Sequence, residues 1–111
     1  MALEVTLKSE NGAILELAGK VVDVDVKKVQ NKLDDLYKNK KLPRVVMDVS
    51  DVEFIDSHGL GVVVYFHTLM QKEKRSLTIL NVNQDKNAYL NRLFEVTNLD
   101  KVLDIVDTLD T

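Results

Sequence analysis

The sequence predicts an α/β domain: a mixed β-sheet, built from an N-terminal hairpin plus parallel strands, with helices packed mainly on one face. Two segments of alternating apolar and polar residues, 4–9 and 13–18, flank the turn pair Asn11-Gly12 and indicate the hairpin. Helix-like and strand-like segments then follow one another along the rest of the chain. Because strand–helix–strand connections are right-handed and join parallel strands, this order predicts parallel pairing in the later part of the sheet.

Each later element follows from its own pattern. Apolar residues at helical spacing from Val24 predict a first helix that ends near Lys38-Asn39, and the apolar run Arg44–Val49 predicts an inner strand. The segment Leu60–Met70 contains strand-like residues, but its length and the basic run after it favour a second helix. The remaining predicted elements are a strand at Ser76–Val82, a helix at Lys86–Phe94 and a short strand at Val102–Val106.

Composition limits the class of protein. The 111 residues suit one domain spanning 1–111, and no apolar stretch reaches the roughly 18 residues of a membrane span. The net charge of −3 and the pI near 5.3 argue against direct nucleic-acid binding, and the absence of cysteine excludes disulfide and thiolate chemistry. The first residues, Met1 to Glu4, lack the basic and apolar parts of a signal peptide, so we expect a cytoplasmic protein.

The segment Asp48–Gly61 is the most informative part of the chain. A β-branched strand leads into an acidic stretch, predicted as a loop, that ends at Asp56-Ser57 where the second helix begins. Ser57 is predicted to be the N-cap of that helix, with its hydroxyl accepting a hydrogen bond from the amide of Gly59 or Leu60. Free amides and the helix dipole favour negative charge there, so the fold would tolerate a phosphate on this hydroxyl. The residues alone favour a simple capping role over a phosphorylation site.

The pattern Asp-x-Ser-x-Val-x-Phe-Ile-Asp-Ser-x-Gly-Leu-Gly in this segment resembles the signature of STAS domains, in the branch of bacterial anti-sigma factor antagonists. Weaker similarity extends over nearly the whole chain, including Gly19, Leu77–Val82 and Thr97–Val102. The resemblance implies the STAS fold, and it aligns Ser57 with the serine that is reversibly phosphorylated in these antagonists. It also implies a regulator of transcription whose unphosphorylated form binds an anti-sigma factor that is also a serine kinase, and so frees a sigma factor. Phosphorylation would release the partner until a serine phosphatase removes the phosphate.

The resemblance suggests a partner-binding set at this segment and at one earlier loop. The set is Asp56, Ser57, His58, Gly59 and Leu60, together with Asp23. The chain departs from the family at two of these places. An aspartate common in the family falls at Val22 here, with Asp23 one place later, and His58 stands where relatives often have a small residue. The histidine would therefore tune the choice of kinase or partner.

Some residues have two interpretations that the sequence leaves open. Asp56 is either a turn residue whose carboxylate bonds the nearby backbone, which we favour, or a group that positions Ser57 for a kinase. Gly59 and Gly61 allow either tight packing of helix on sheet or room for a partner. The second helix is apolar on more than one side, so its outer residues either pack against a neighbouring helix or form an exposed patch. The residues concerned are Val62, Tyr65 and Leu69.

The sequence favours no enzyme, metal site or cofactor. His58 does not form a nucleophile–base pair with Ser57, because neighbours at a helix start point in different directions and no third orienting group is evident. His67 lies nine residues after His58, on the opposite side of the helix, so the two histidines cannot share a metal. The acidic residues around the first helix lack calcium-loop spacing. These residues are Asp23, Asp25, Asp34 and Asp35.

Two other functions remain possible from the sequence. In the first, the chain is a STAS subunit of a transport or stress-signalling assembly in which Ser57 is never modified. In the second, it is a STAS module that binds a small molecule in a cleft beside Ser57. A phosphate on the Ser57 peptide would count against the first, and a melting shift with a small molecule alone would favour the second.

Overall fold

A computed structural model of the chain describes residues 3–8, 13–81 and 88–108, with the side chain of residue 88 left out. The strands of the sheet are β1 (Glu4–Lys8), β2 (Ala13–Val21), β3 (Arg44–Ile55), β4 (Ser76–Leu80) and β5 (Asp104–Val106). The helices are α1 (Val24–Asp34), α2 (Ser57–Lys72) and α3 (Ala88–Val96). A π-helical turn, Asp35–Asn39, continues α1, and a 3-10 turn, Leu99–Lys101, precedes β5.

The described strands lie in the sheet in chain order, and among them β1 and β2 pair antiparallel while the other neighbouring strands pair parallel. This arrangement confirms the predicted N-terminal hairpin and the parallel strands that follow it. The predicted turn pair Asn11-Gly12 lies outside the described residues. Buried side chains of all three helices form one apolar cluster with alternate residues of the strands, so the helices share one face of the sheet. The cluster includes Val26, Val29, Leu33, Val63, Phe66, Met70, Leu90 and Phe94 from the helices and Leu15, Leu17, Met47 and Ile79 from the sheet.

The predicted loop between Val49 and Asp56 is wrong, because β3 continues as a strand to Ile55. The long strand β2 provides pairing partners as far as Val21↔Ile55. The pairing of β2 with β3 has two register irregularities, and at each of them β3 has one residue more than β2. These irregularities allow the polar residues to remain within the strand. The acidic side chains of Asp51 and Glu53 therefore stay exposed without ending the strand. At the first irregularity, the amide of Ser50 donates to the Asp48 carboxylate at 3.0 Å.

Most other predicted bounds differ from the observed ones by a few residues. The predicted first helix corresponds to α1 and its π-helical turn, which together end at Asn39. Helix α2 begins at Ser57, one residue before the start implied by the predicted N-cap, because Asp56 caps it, and the predicted segment Leu60–Met70 lies within it. Strand β4 ends at Leu80 and β5 begins only at Asp104. The predicted ends Val82 and Lys86 lie outside the described residues.

Candidate functional site

Ser57 lies at the carboxyl end of the parallel strands β2 and β3, as the first residue of α2. Its side chain is exposed. Within the described parts of the chain, no group forms a hydrogen bond with its hydroxyl. The predicted N-cap role of Ser57 is wrong, because the N-cap is Asp56, whose extended backbone (φ −87°, ψ 177°) leads from β3 into the helix. The hydroxyl is therefore accessible and is not needed to cap the helix.

The carboxylate of Asp56 joins two connections of the fold. Its Oδ1 accepts the Gly59 amide at 2.8 Å, and its Oδ2 accepts the Asp23 amide at 3.1 Å. The Asp56 amide itself donates to the Val21 carbonyl at 3.1 Å. The Gly59 amide is the main cause of the lowered pKa of Asp56, with the Asp23 amide and the nearby His58 acting in the same direction. The favoured interpretation of Asp56 as a residue that bonds nearby backbone is thus confirmed.

Asp23 belongs to the same site, although it is distant in sequence. Its amide is held by Asp56, and its side chain is exposed. Its backbone has a positive φ of 49°, a conformation that residues other than glycine rarely adopt. Such strain persists where surrounding contacts fix the backbone, and the hydrogen bond to Asp56 is one such contact. Val24, the next residue, is 82% exposed.

The other predicted site residues differ in how far their side chains or backbone are exposed to solvent. His58 is exposed beside Ser57, whereas Gly59 is buried and Leu60 is half-buried. A Cβ atom on Gly59 would lie 2.7 Å from Cγ1 of Ile55 and 3.1 Å from Cγ1 of Val21. Tight packing of the helix on the sheet therefore explains Gly59.

Gly61 has a different environment from Gly59. It is exposed, and a Cβ atom built on it would meet nothing within 4 Å. Ser57, Gly61 and Tyr65 follow one another at intervals of four residues, which places them along one side of the helix. Tyr65 is 56% exposed, while Val62 is buried and Leu69 is half-buried. The helix therefore has an outer side that begins at Ser57, and within the described parts of the chain no packing contact requires a glycine at position 61.

The sequence analysis missed an aromatic pair at this end of the sheet. Phe54, near the end of β3, stacks on Tyr89 of α3 with ring centroids 5.4 Å apart and an interplanar angle of 20°. The two side chains are 41% and 43% exposed. The sequence contained no signal for this contact, because the two residues are 35 positions apart. Only the packing of α3 in the fold brings Tyr89 to β3.

Two features of the described residues bear on metal and small-molecule binding. Across residues 3–8, 13–81 and 88–108, no group of three or more His, Asp or Glu side chains could hold a metal ion. The apolar cavity beneath α2 has a volume of only about 20 Å³ and is lined by core residues such as Val49, Leu60 and Phe94. No helix in the described segments is both long and apolar enough to cross a bilayer.

These features define the class as a small α/β domain with a mixed sheet, one helical layer and an exposed serine at a helix start. Comparison with known proteins gives the family. The STAS domain family model matches residues 4–111, and the chain belongs to that family. The resemblance found in the segment Asp48–Gly61 is thereby confirmed.

Relatives and solved structures agree with this assignment. The chain is 30% identical over 106 residues to the anti-sigma-B factor antagonist of Bacillus subtilis strain 168, covering 95% of this chain and 92% of that protein. An anti-sigma factor antagonist from Mycobacterium paratuberculosis has the same fold, with a TM-score of 0.81 at 20% identity over 98% of this chain and 89% of that chain. The Bacillus protein SpoIIAA, solved in its phosphorylated form, has a TM-score of 0.69 at 14% identity over 95% and 91% of the two chains. At these identities the solved structures support the fold alone.

Proposed function

We propose that this protein is an anti-sigma factor antagonist that is switched by phosphorylation of Ser57. Unphosphorylated, it binds an anti-sigma factor that is also a serine kinase, and the sigma factor is set free. Phosphorylated, it releases the kinase until a serine phosphatase restores the hydroxyl. The observation that carries this proposal is the exposed Ser57 hydroxyl at the start of α2, free of bonds to the described residues, in a chain of the STAS family.

The position of Ser57 allows the fold to accept a phosphate. A phosphate adds roughly −1.5 to −2 charges at neutral pH. The start of α2 carries the positive end of the helix dipole, which stabilises negative charge. Because Asp56 already caps the helix through Gly59, modification of Ser57 breaks no hydrogen bond between described residues. SpoIIAA, a neighbour with this fold, has been solved both with and without its phosphate.

The same phosphate would disrupt a closely packed contact. A partner that packs against Ser57 and the open space at Gly61 would bond the hydroxyl directly. A phosphate fills that space, removes the hydroxyl donor and adds charge beside Asp56. Loss of binding then follows mainly from the bulk of the phosphate and the lost hydrogen bond, and an acidic partner surface would add repulsion.

The proposed contact surface combines the exposed residues with those that position them. Asp23, Ser57 and His58 would touch the partner, while Asp56 holds the two connections together. Gly59 and Leu60 would set how deeply the helix start lies against the sheet. We expect no catalytic activity, no cofactor and no direct contact with nucleic acid, since any ATP would belong to the kinase. We also expect the protein to act in the cytoplasm.

Phosphotransfer and binding test the proposal. Each serine-kinase anti-sigma factor of the parent organism would be purified and incubated with ATP and wild type, Ser57→Ala or Thr68→Ala. Thr68 is the matched control, because it is an exposed hydroxyl residue on the same helix. We expect one kinase to label wild type and Thr68→Ala but not Ser57→Ala.

Binding of the unmodified protein provides the second measurement. Ser57→Asp should bind that kinase at least about tenfold more weakly than wild type, in line with loss of a hydrogen bond at a packed contact. Equal affinity of Ser57→Asp and wild type, or equal labelling of Ser57→Ala, would contradict the proposal. Absence of phosphate on Ser57 in protein from its native cell would instead favour an unmodified STAS subunit.

A further inference from the structure

The stacked pair Phe54–Tyr89 is an exposed aromatic surface beside the proposed switch. Phe54 lies three residues before Ser57, and the Tyr89 hydroxyl approaches the Ile55 carbonyl only at 3.5 Å, the long limit of a hydrogen bond. Each ring covers one face of the other, so the exposed 41% and 43% of these side chains belong to outer faces and edges. Aromatic residues left open in this way are typical of protein–protein interfaces.

Two exposed carboxylates lie on the same strand as Phe54. The register irregularities of β3 keep Asp51 and Glu53 exposed on the strand segment that leads to Phe54. Among the described residues, neither carboxylate takes part in an ion pair, in contrast to Glu16, Asp25, Asp34 and Glu73. Ring faces carry negative potential, and neighbouring carboxylates add to it. The combination is complementary to a cation that has an apolar or planar body.

We infer that the Phe54–Tyr89 pair, together with the exposed Asp51 and Glu53 on the strand that leads to Phe54, is the docking point for an arginine or lysine side chain of the anti-sigma factor. This inference deepens the proposed function and rests on it, because it describes how the same partner would be held next to Ser57. The guanidinium of an arginine fits best, since it can stack on a ring while its N–H groups bond a carboxylate. The bound cation would orient the partner on this surface. The packed contact at Ser57 would be the one that phosphorylation disrupts.

The first experiment tests the surface without the partner. The tripeptide Gly-Arg-Gly, blocked at both ends, is titrated into the wild-type protein, and the ring protons of Phe54 and Tyr89 are followed by NMR. The blocked peptide Gly-citrulline-Gly is the control, because citrulline has the same shape without the charge. We expect the arginine peptide to shift the two rings more than it shifts Tyr65, and the citrulline peptide to have little effect. Equal or absent shifts with the two peptides would overturn the inference.

The second experiment uses the purified serine-kinase anti-sigma factor that labels Ser57. Tyr89→Phe keeps the ring, and Tyr89→Leu keeps apolar area but removes it, so the two variants form a matched pair. We expect Tyr89→Phe to bind like wild type and Tyr89→Leu to bind about fivefold more weakly. Glu53→Gln should weaken binding about twofold at low salt, and this difference should vanish at high salt. NMR spectra of the variants confirm that they are folded.

The outcomes separate this inference from the proposed function. If the arginine peptide binds the rings but no anti-sigma factor binds wild type, the proposed function fails, and the assignment of the cation to an anti-sigma factor fails with it. If an anti-sigma factor binds wild type and Tyr89→Leu equally, the docking point is wrong while the switch stands. Equal weakening by Tyr89→Phe and Tyr89→Leu would place the effect in the hydroxyl and overturn the role of the ring.

Discussion

The two ends of the parallel strands differ in how their polar groups are used. At the carboxyl end, Asp56 is engaged with the backbone while the neighbouring Ser57 hydroxyl is exposed and unbonded within the described residues. At the amino end, basic residues from two connections meet, because β3 and β4 are parallel and paired from Arg44↔Ser76 onward. The basic residues there are Lys38, Lys40, Lys41, Arg44, Lys72, Lys74 and Arg75.

Arg75 shows that the basic end is partly structural. Its Nε donates to the Leu42 carbonyl at 2.8 Å, and its Nη2 donates to the Tyr37 carbonyl at 3.1 Å. The guanidinium carbon lies 4.6 Å from the Tyr37 ring centroid. The Tyr37 hydroxyl donates to Glu73, and this hydrogen bond raises the pKa of Tyr37. Arg75 is thus bonded within the fold, whereas the Ser57 hydroxyl has no hydrogen bond to the described residues, so a high density of charge does not by itself identify a functional site.

The largest effect should come from removing Arg75. Arg75→Ala deletes two hydrogen bonds from a charged donor and a cation–π contact, and it leaves the Leu42 and Tyr37 carbonyls without that donor. We expect the free energy of unfolding, measured with urea, to fall by about 2–4 kcal/mol. Arg75→Lys should recover only part of the lost free energy of unfolding, because an ammonium group lacks the planar arrangement of N–H donors of a guanidinium. Affinity for the anti-sigma factor should be unchanged below the melting transition. A loss of affinity in the folded variant would show that the basic end of the strands also takes part in binding.

Gly59→Ala should have the next largest effect, at the carboxyl end. The new methyl group would lie 2.7 Å from Cγ1 of Ile55, so the Ile55 and Val21 side chains must move. We expect the free energy of unfolding to fall by about 1–3 kcal/mol, as for overpacked cores. Thermal melting followed by circular dichroism measures the change. A variant as stable as wild type would show that the helix start is less tightly packed on the sheet than its contacts indicate.

The sequence predicted the fold well because its periodic patterns are local. The hairpin, the parallel strands and the second helix all follow from short-range spacing and turn chemistry, and they appear in the structure. The acidic continuation of β3 was missed, because strand pairing with β2 overrides the turn-like composition of residues 50–55. The cap was misassigned by one residue, since Asp56 and Ser57 are equally good N-cap residues and only the strand's end decides between them.

The site itself was predictable only in part. Ser57, His58 and Asp56 adjoin one another in sequence, so one motif identifies them. The contacts of Asp23 with Asp56 and of Tyr89 with Phe54 join distant elements, and no local pattern encodes such contacts. The difference between Gly59 and Gly61 likewise depends on which side of α2 faces the sheet.

Asp56→Ala removes the carboxylate that accepts two backbone amides at the carboxyl end of the strands. The variant loses the cap of α2 and the bond to Asp23, so we expect the free energy of unfolding at pH 7 to fall by about 1–2 kcal/mol. Asp56→Asn should lose less, because asparagine caps helices well. Since the pKa of Asp56 is lowered in the folded state, the carboxylate stabilises the protein above its ordinary pKa of 3.8. That stabilisation is lost as pH falls below this value, so the gap between wild type and Asp56→Asn should narrow in urea titrations below about pH 4.

Gly61→Ala should have the smallest effect on stability and the most specific effect on function. Alanine is the better helix former, and open space surrounds the position, so the free energy of unfolding should rise by about 0.5–1 kcal/mol. If a partner packs closely against this side of α2, the added methyl group should weaken binding of the anti-sigma factor even though the protein is more stable. Calorimetric binding and thermal melting on one preparation measure both quantities. A stabilised variant with unchanged affinity would show that the partner does not approach Gly61, and the contact surface would then lie towards Phe54 and Asp23.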